Sequence, residues 1–229
     1  MPVDVNSRWR ESHRLRFGVG HAGKPTMVPM ISSVLKPGVT RLINPVAKWA
    51  VRIGITPNAI TVAGACGVII SALIFYPREE YFWGTIAISF FALSDLFDGA
   101  IARISQSGAS AWGGFLDSTI DRITDSIIII ALLLPLIDKE DPLAYVGLFT
   151  LVSGILIPYI RAKAESFGVE CSVGIAERTE RLVIVLVAAG LHGLHVPFVL
   201  AGGFWLLSLL GVATVAQRMY VVYRGLRNS

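Results

Sequence analysis

Four aspartates stand where a soluble-protein reading would not place them. Asp95 and Asp98 fall in the segment FALSDLFDGAIAR, and Asp117 and Asp121 in GGFLDSTIDRITD, each at the end of a long apolar run. A carboxylate inside a membrane-length apolar segment costs about 2.5–3.5 kcal/mol on insertion scales. Four of them need a partner, and a divalent cation is the simplest one. Neither segment holds His or Cys, so the donors are all oxygen, which selects a hard ion: Mg²⁺, Mn²⁺ or Ca²⁺. Two such ions about 3.5–4 Å apart can clamp a transferring phosphoryl group.

The spacing supports convergence. Asp95, Asp98 and Ala102 recur at i, i+3, i+7, and Gly113, Asp117 and Asp121 at i, i+4, i+8; each set shares one helical face. The short connection SQSGASAW makes the two helices antiparallel neighbours whose acidic faces can meet. Asp95 lies about 12 Å from Arg103 along a helix, so the carboxylates line a polar cavity near the helix ends. Gly99 and Gly113 remove side chains where a ligand approaches backbone, and Ala100, Ala102, Gly108, Ala109 and Ser110 keep the floor of the site open.

The elements that must hold these residues are membrane helices. Of the 229 residues, 54% are hydrophobic and 16% charged, against about 25% charged in soluble domains; the mean hydropathy is +0.65. Apolar runs of about 20 residues span a bilayer core, and six are found, at roughly 57–76, 81–104, 113–137, 143–163, 181–195 and 197–220. The expected fold is all-α: a polytopic membrane protein with six transmembrane helices. Thr56 is placed to cap the first helix, with Pro57 at its first position. Residues 34–54, VLKPGVTRLINPVAKWAVRIG, set apolar positions against Lys48 and Arg52 and read as an amphipathic helix in the interface, or as a cytosolic helix packed on the protein itself. Residues 1–33 form a polar arm with no apolar signal core. Whether it is a native cytosolic arm or a remnant of a fused partner is left open, and residues 34–229 are treated as the membrane domain.

Basic residues fall unevenly. Of the 20 Lys and Arg, 17 lie on one side of this topology, Arg78 and Lys139 on the other, and Arg122 within the third span. The positive-inside rule then puts both termini, and the aspartate cavity, on the cytoplasmic side of the cell membrane. Cys66 and Cys171 are far apart and read as free thiols. Tyr81, Trp83, Tyr145 and Tyr220 suit an interfacial belt. His192 and His195 fall in an external loop and are expected to be solvated. No nucleic-acid partner is expected.

The residues Asp95, Asp98, Gly99, Ala102, Arg103, Gly113, Asp117 and Asp121 resemble the signature of the CDP-alcohol phosphotransferase family, D-x2-D-G-x2-A-R, a spacer, then G-x3-D-x3-D. The spacer from Arg103 to Gly113 holds nine residues where the family usually has eight, which leaves Gly113 and Gly114 both open as the family glycine. The resemblance implies a six-helix membrane fold, usually dimeric. It implies transfer of a phosphatidyl group from CDP-diacylglycerol to an alcohol, with release of CMP. Asp95, Asp98, Asp117 and Asp121 would hold two Mg²⁺ ions, with Mn²⁺ as the alternative. Asp121 would also serve as general base on the acceptor hydroxyl. Gly99, Ala102, Arg103 and Gly113 would contact the CDP-lipid, and Asn58 and Thr61 are further candidates that capping and packing explain nearly as well.

The acceptor is read from the basic residues near the fourth loop. Guanidinium groups at helix ends suit a phosphomonoester better than a neutral amino alcohol. The segments YIRAKAE, ERTERL and VAQR are similar to the bacterial phosphatidylinositol phosphate synthases within the family, whose acceptor is inositol 1-phosphate. Arg161, Lys163, Arg181 and Arg218 are the candidate acceptor-phosphate ligands, with Arg178 as a further one. Glycerol 3-phosphate is the rival acceptor. Ion-coupled transport is the reading from another class, since intramembrane acids also mark ion paths, but no inverted repeat accompanies them. Asp125 continues the Asp121 face, as a second-shell residue or a hydrogen-bonded buried acid.

Overall fold

The computed structural model describes residues 56–93, 110–175 and 177–227. The expected polar arm, the interfacial helix at 34–54, and Asp95, Asp98, Gly99, Ala102 and Arg103 lie outside the described residues. Every described element is helical.

Six α-helices follow one another: α1 Pro57–Phe75, α2 Tyr81–Ala92, α3 Ala111–Asp138, α4 Leu143–Ser166, α5 Arg178–Gly193 and α6 Val199–Arg227. Each coincides with one of the apolar runs read from the sequence. Three are long and apolar enough to cross a membrane by length and composition: Pro57–Arg78 (α1 with the 3₁₀ turn after it), α4 and α6. With the family membership established below, the chain is an all-helical integral membrane protein.

Local chemistry sets the ends. Thr56 caps α1 by accepting from the Ala59 N–H at 3.3 Å, with Pro57 at the first position, where its missing N–H costs nothing. Ser110 caps α3 by accepting from the Gly113 N–H at 2.9 Å. The reversals between α1 and α2, between α3 and α4, and between α5 and α6 use Glu79, Glu140, His195 and Phe198 at positive φ.

The helices close a ring in the order α1–α2–α5–α6–α4–α3, each packing on its two neighbours. Their inner faces make one core, with Tyr76, Ile88, Ile128, Leu132, Leu133 and Phe204 almost fully buried. Contact is close where side chains are absent. A Cβ at Gly193 would collide with the Phe82 backbone, and one at Gly147 with Leu133. Polar links also cross the ring: Thr150 Oγ1 lies 2.8 Å from Ser208 Oγ, joining α4 to α6.

Two expectations about aromatic and imidazole groups are corrected here. Tyr81 is 5% exposed and belongs to the core, whereas Trp83, Tyr145 and Tyr220 are exposed as an interfacial belt requires. His192 sits in the last turn of α5 with its ring edge-on to Tyr81 at 4.8 Å. It is half-buried, because Gly193 lets α5 approach the start of α2 closely; His195 is exposed. Both cysteines are free, as expected.

Candidate active site

The site is built on α3. Its polar residues Asp117, Asp121 and Asp125 follow one another at four-residue intervals, so they rise along one face. Asp117 is exposed, while Asp121 and Asp125 are both partly enclosed by the ring. Thr124, buried beside them, donates to the carbonyls of Ile120 and Asp121, so its hydroxyl is satisfied within its own helix.

Across from this face stands the start of α5. Arg178, its first residue, donates from Nη2 to Asp121 Oδ1 at 2.9 Å and from Nε to Asp125 Oδ1 at 3.3 Å. Arg181 Nη2 lies 4.0 Å from Asp125 Oδ2. A cation in the first turn opposes the helix dipole, and the two carboxylates of α3 offset that repulsion. The side chains of Asp121 and Arg181 are each 14% exposed, so these pairs are largely withdrawn from water, where charge interactions are strongest.

The remaining basic residues are arranged differently. Arg218 is buried on α6; its Nη1 donates to the Ile157 carbonyl at 2.5 Å and its Nε to the Val173 carbonyl at 2.8 Å. It thereby ties α6 to α4 and to the α4–α5 loop. Arg161 is exposed and bonded to Glu165 at 2.9 Å, and Lys163 lies 4.8 Å over the Phe167 ring. Arg178 and Arg181 are therefore brought to the acidic face, Arg218 pins the loop that leads into them, and Arg161 and Lys163 stand on the outer surface of α4.

At the start of α3, Asn58 of α1 comes up against Gly113. A Cβ there would sit 3.1 Å from Asn58 Oδ1 and 3.1 Å from Ser110 Oγ, whereas one at Gly114 would meet nothing within 4 Å. Among the described residues, a side chain would crowd a neighbour at Gly113 and none at Gly114. Thr61 is 6% exposed and donates to the Pro57 carbonyl at 3.2 Å.

The donor chemistry fits a hard divalent cation. Asp117 and Asp121 are oxygen donors one turn apart on α3. Among the described residues no group of three such donors is gathered; the pair on α3 makes half of the four-carboxylate set, whose other half, Asp95 and Asp98, is outside them.

Residues 54–219 match the family model of the CDP-alcohol phosphatidyltransferases. The chain belongs to that family. Its curated relatives include the phosphatidylinositol phosphate synthase of Streptomyces avermitilis, 41% identical over 216 residues, covering 90% of this chain and 88% of the relative. The enzyme of the same name from Mycolicibacterium smegmatis is 40% identical, over 80% of this chain and 84% of the relative. Crystal structures of Mycobacterium tuberculosis phosphatidylinositol phosphate synthase share the fold. With CDP-DAG bound it gives a TM-score of 0.75 at 36% identity, covering 80% of this chain and 94% of that one. In complex with manganese and citrate it gives 0.75 at 36%, covering 79% and 88%. Membership in this enzyme family sets aside the transport reading.

Proposed function

We propose that the chain transfers a phosphatidyl group from CDP-diacylglycerol to inositol 1-phosphate, giving phosphatidylinositol phosphate and CMP. The observation that carries the choice of acceptor is the facing of Arg178 and Arg181 against Asp121 and Asp125. Two guanidinium groups held beside the candidate base suit an alcohol that carries its own phosphate. The names of the relatives point the same way.

In this reading Asp95, Asp98, Asp117 and Asp121 hold two Mg²⁺ ions, or Mn²⁺. When bound, the ions neutralise the diphosphate of the CDP-lipid as charge builds on it. Gly99, Ala102, Arg103 and Gly113 receive the nucleotide, with Asn58 and Thr61 beside Gly113. Arg178 and Arg181 take the acceptor phosphate, and Arg161 and Lys163 attract it at the rim. Arg218 serves the same site by holding the α4–α5 loop. Asp121 accepts the proton from the acceptor hydroxyl. The freed oxygen forms a bond to the lipid-side phosphorus, the bond from that phosphorus to the CMP oxygen breaks, and CMP leaves with the electron pair. Holding both reactants is the larger share of the task, because a well-oriented hydroxyl gains most of its reactivity from placement.

The same reading gives six transmembrane helices at the six apolar runs of the sequence, an interfacial helix at 34–54, and a membrane domain spanning 34–229 behind the polar arm 1–33. Both termini and the site face the cytoplasm at the plasma membrane, supported by the side to which 17 of 20 basic residues fall. The functional unit is a homodimer. The test is CMP release from CDP-diacylglycerol in membranes containing the chain, with inositol 1-phosphate, glycerol 3-phosphate and free inositol compared. Release with inositol 1-phosphate alone is expected; release with glycerol 3-phosphate instead overturns the assignment.

A further inference from the structure

Two of the compartments between the helices meet at α3, and three residues line both. The first lies between α1, α2, α3 and α5, where Asp121, Asp125 and Arg178 face Gly64, Ala65 and Phe91. The second lies between α3, α4, α5 and α6, with Arg122, Asp125 and Arg181 above Ser126 and Ser153. Asp125, Ile128 and Leu182 line both. Of the three, only Asp125 carries charge.

Its two oxygens are divided between the compartments. Oδ1 accepts from Arg178 Nε at 3.3 Å on the side of Asp121, and Oδ2 faces Arg181 Nη2 at 4.0 Å on the side of Arg122. Arg178 and Arg181 are three residues apart on α5 and so lie on one face. Two guanidinium groups placed this way repel each other and drift towards water unless a carboxylate lies between them. Towards the core the neighbours of Asp125 on α3 are Ile128, Ile129 and Leu132, so its cationic partners come from Arg122 one turn before it and from α5.

We propose that Asp125 is the positioning residue of the acceptor site: it fixes Arg178 beside the base and Arg181 one turn further along the same face of α5, so that both guanidinium groups are preformed for the acceptor phosphate. This rests on the transfer reaction proposed above. Asp125 touches neither substrate; it acts through the two arginines. Without it, the acceptor phosphate has to gather the two guanidinium groups itself, so acceptor affinity falls while the nucleotide side is left as it was.

The experiment compares Asp125→Asn and Asp125→Glu with the unsubstituted chain, in detergent with Mg²⁺ and in reconstituted membranes. CMP release is measured with each substrate varied in turn, together with inhibition by inorganic phosphate. For Asp125→Asn the KM for inositol 1-phosphate and the inhibition constant for phosphate are both expected to rise about tenfold or more, as small misplacements of orienting groups do. The KM for CDP-diacylglycerol is expected to stay unchanged. Asp125→Glu restores most of the acceptor affinity, which keeps the test open if the Asn variant fails to fold. An acceptor KM and phosphate constant that stay at the unsubstituted values in Asp125→Asn overturn the proposal, as does an Asp125→Glu variant that folds without recovering acceptor affinity, and as does a parallel rise in both substrate KM values. If the unsubstituted chain releases no CMP with inositol 1-phosphate, it is the transfer reading that fails. Thermal protection by inorganic phosphate then decides on Asp125: protection lost in Asp125→Asn supports it, and protection retained overturns it.

Discussion

Replacing Arg218 with Met should loosen the acceptor end of the ring by an amount that the geometry allows to be worked out. Arg218 is 7% exposed and its guanidinium serves two carbonyls, those of Ile157 at 2.5 Å and Val173 at 2.8 Å. A hydrogen bond to a charged group contributes about 1.5–3 kcal/mol, and a buried acceptor left unmade costs about 1–3 kcal/mol. The Ile157 bond is fully buried and loses its whole value, whereas the Val173 side lies on a partly exposed loop where water can replace the donor. The net loss is about 3 kcal/mol. In a chain of this size each kcal/mol shifts Tm by about 2–4 °C, so a fall of about 6–12 °C is expected for the protein in detergent. Because the Val173 loop leads directly into Arg178, the same variant should raise the KM for inositol 1-phosphate and leave that for CDP-diacylglycerol unmoved. Arg218→Lys keeps the charge but presents a single ammonium to two separated carbonyls, and should fall between the two. Thermal unfolding and CMP-release kinetics on the same preparations read both effects. A Tm within about 1 °C of the unsubstituted chain, with acceptor KM also unchanged, would refute the clamp.

Three other outcomes are expected. Asp121→Asn removes the proton acceptor and should lower kcat by about 10²–10⁴-fold; turnover near the original rate would reject Asp121 as base. Arg181→Ala should raise the acceptor KM about 10–100-fold, the equivalent of one charged hydrogen bond, and a KM that stays put would remove Arg181 from the acceptor pocket. Gly193→Val drives a side chain into the Phe82 backbone and should destabilise by about 1–3 kcal/mol. Gly202→Ala, where an added Cβ meets nothing within 4 Å, should be close to neutral in the same unfolding assay; equal effects of the two would contradict the packing of α5 on α2.

Much of the architecture is legible in the chain because hydropathy and end chemistry are local. Thr56 and Pro57 mark the start of α1 in the sequence as they do in the structure, and the four-residue spacing of Asp117 and Asp121 places them on one face without any tertiary knowledge. What depends on residues far apart in the chain is not legible. Asp125 and Arg178 are 53 positions apart, and no periodicity reveals that they meet. Arg218 reads as one more cation near a helix end, and only the approach of the Ile157 and Val173 carbonyls turns it inward. Tyr81 reads as a belt residue because its position relative to the apolar run suits one, yet the closeness of α2 to α5 buries it. A signal for Asp125 was present all the same: an acid that continues an acidic face into an apolar helix needs a cation, and Arg122 one turn before it and the arginine-bearing segment ERTERL are the sources the sequence offers.

The most direct test of the account is a structure of the chain with Mn²⁺ and inositol 1-phosphate, using the anomalous signal of manganese to locate the metal. The account predicts manganese against Asp117 and Asp121, and the acceptor phosphate between Arg178 and Arg181, with its hydroxyl directed at Asp121. Manganese bound away from α3, or a phosphate held at a site that touches neither arginine, would contradict it.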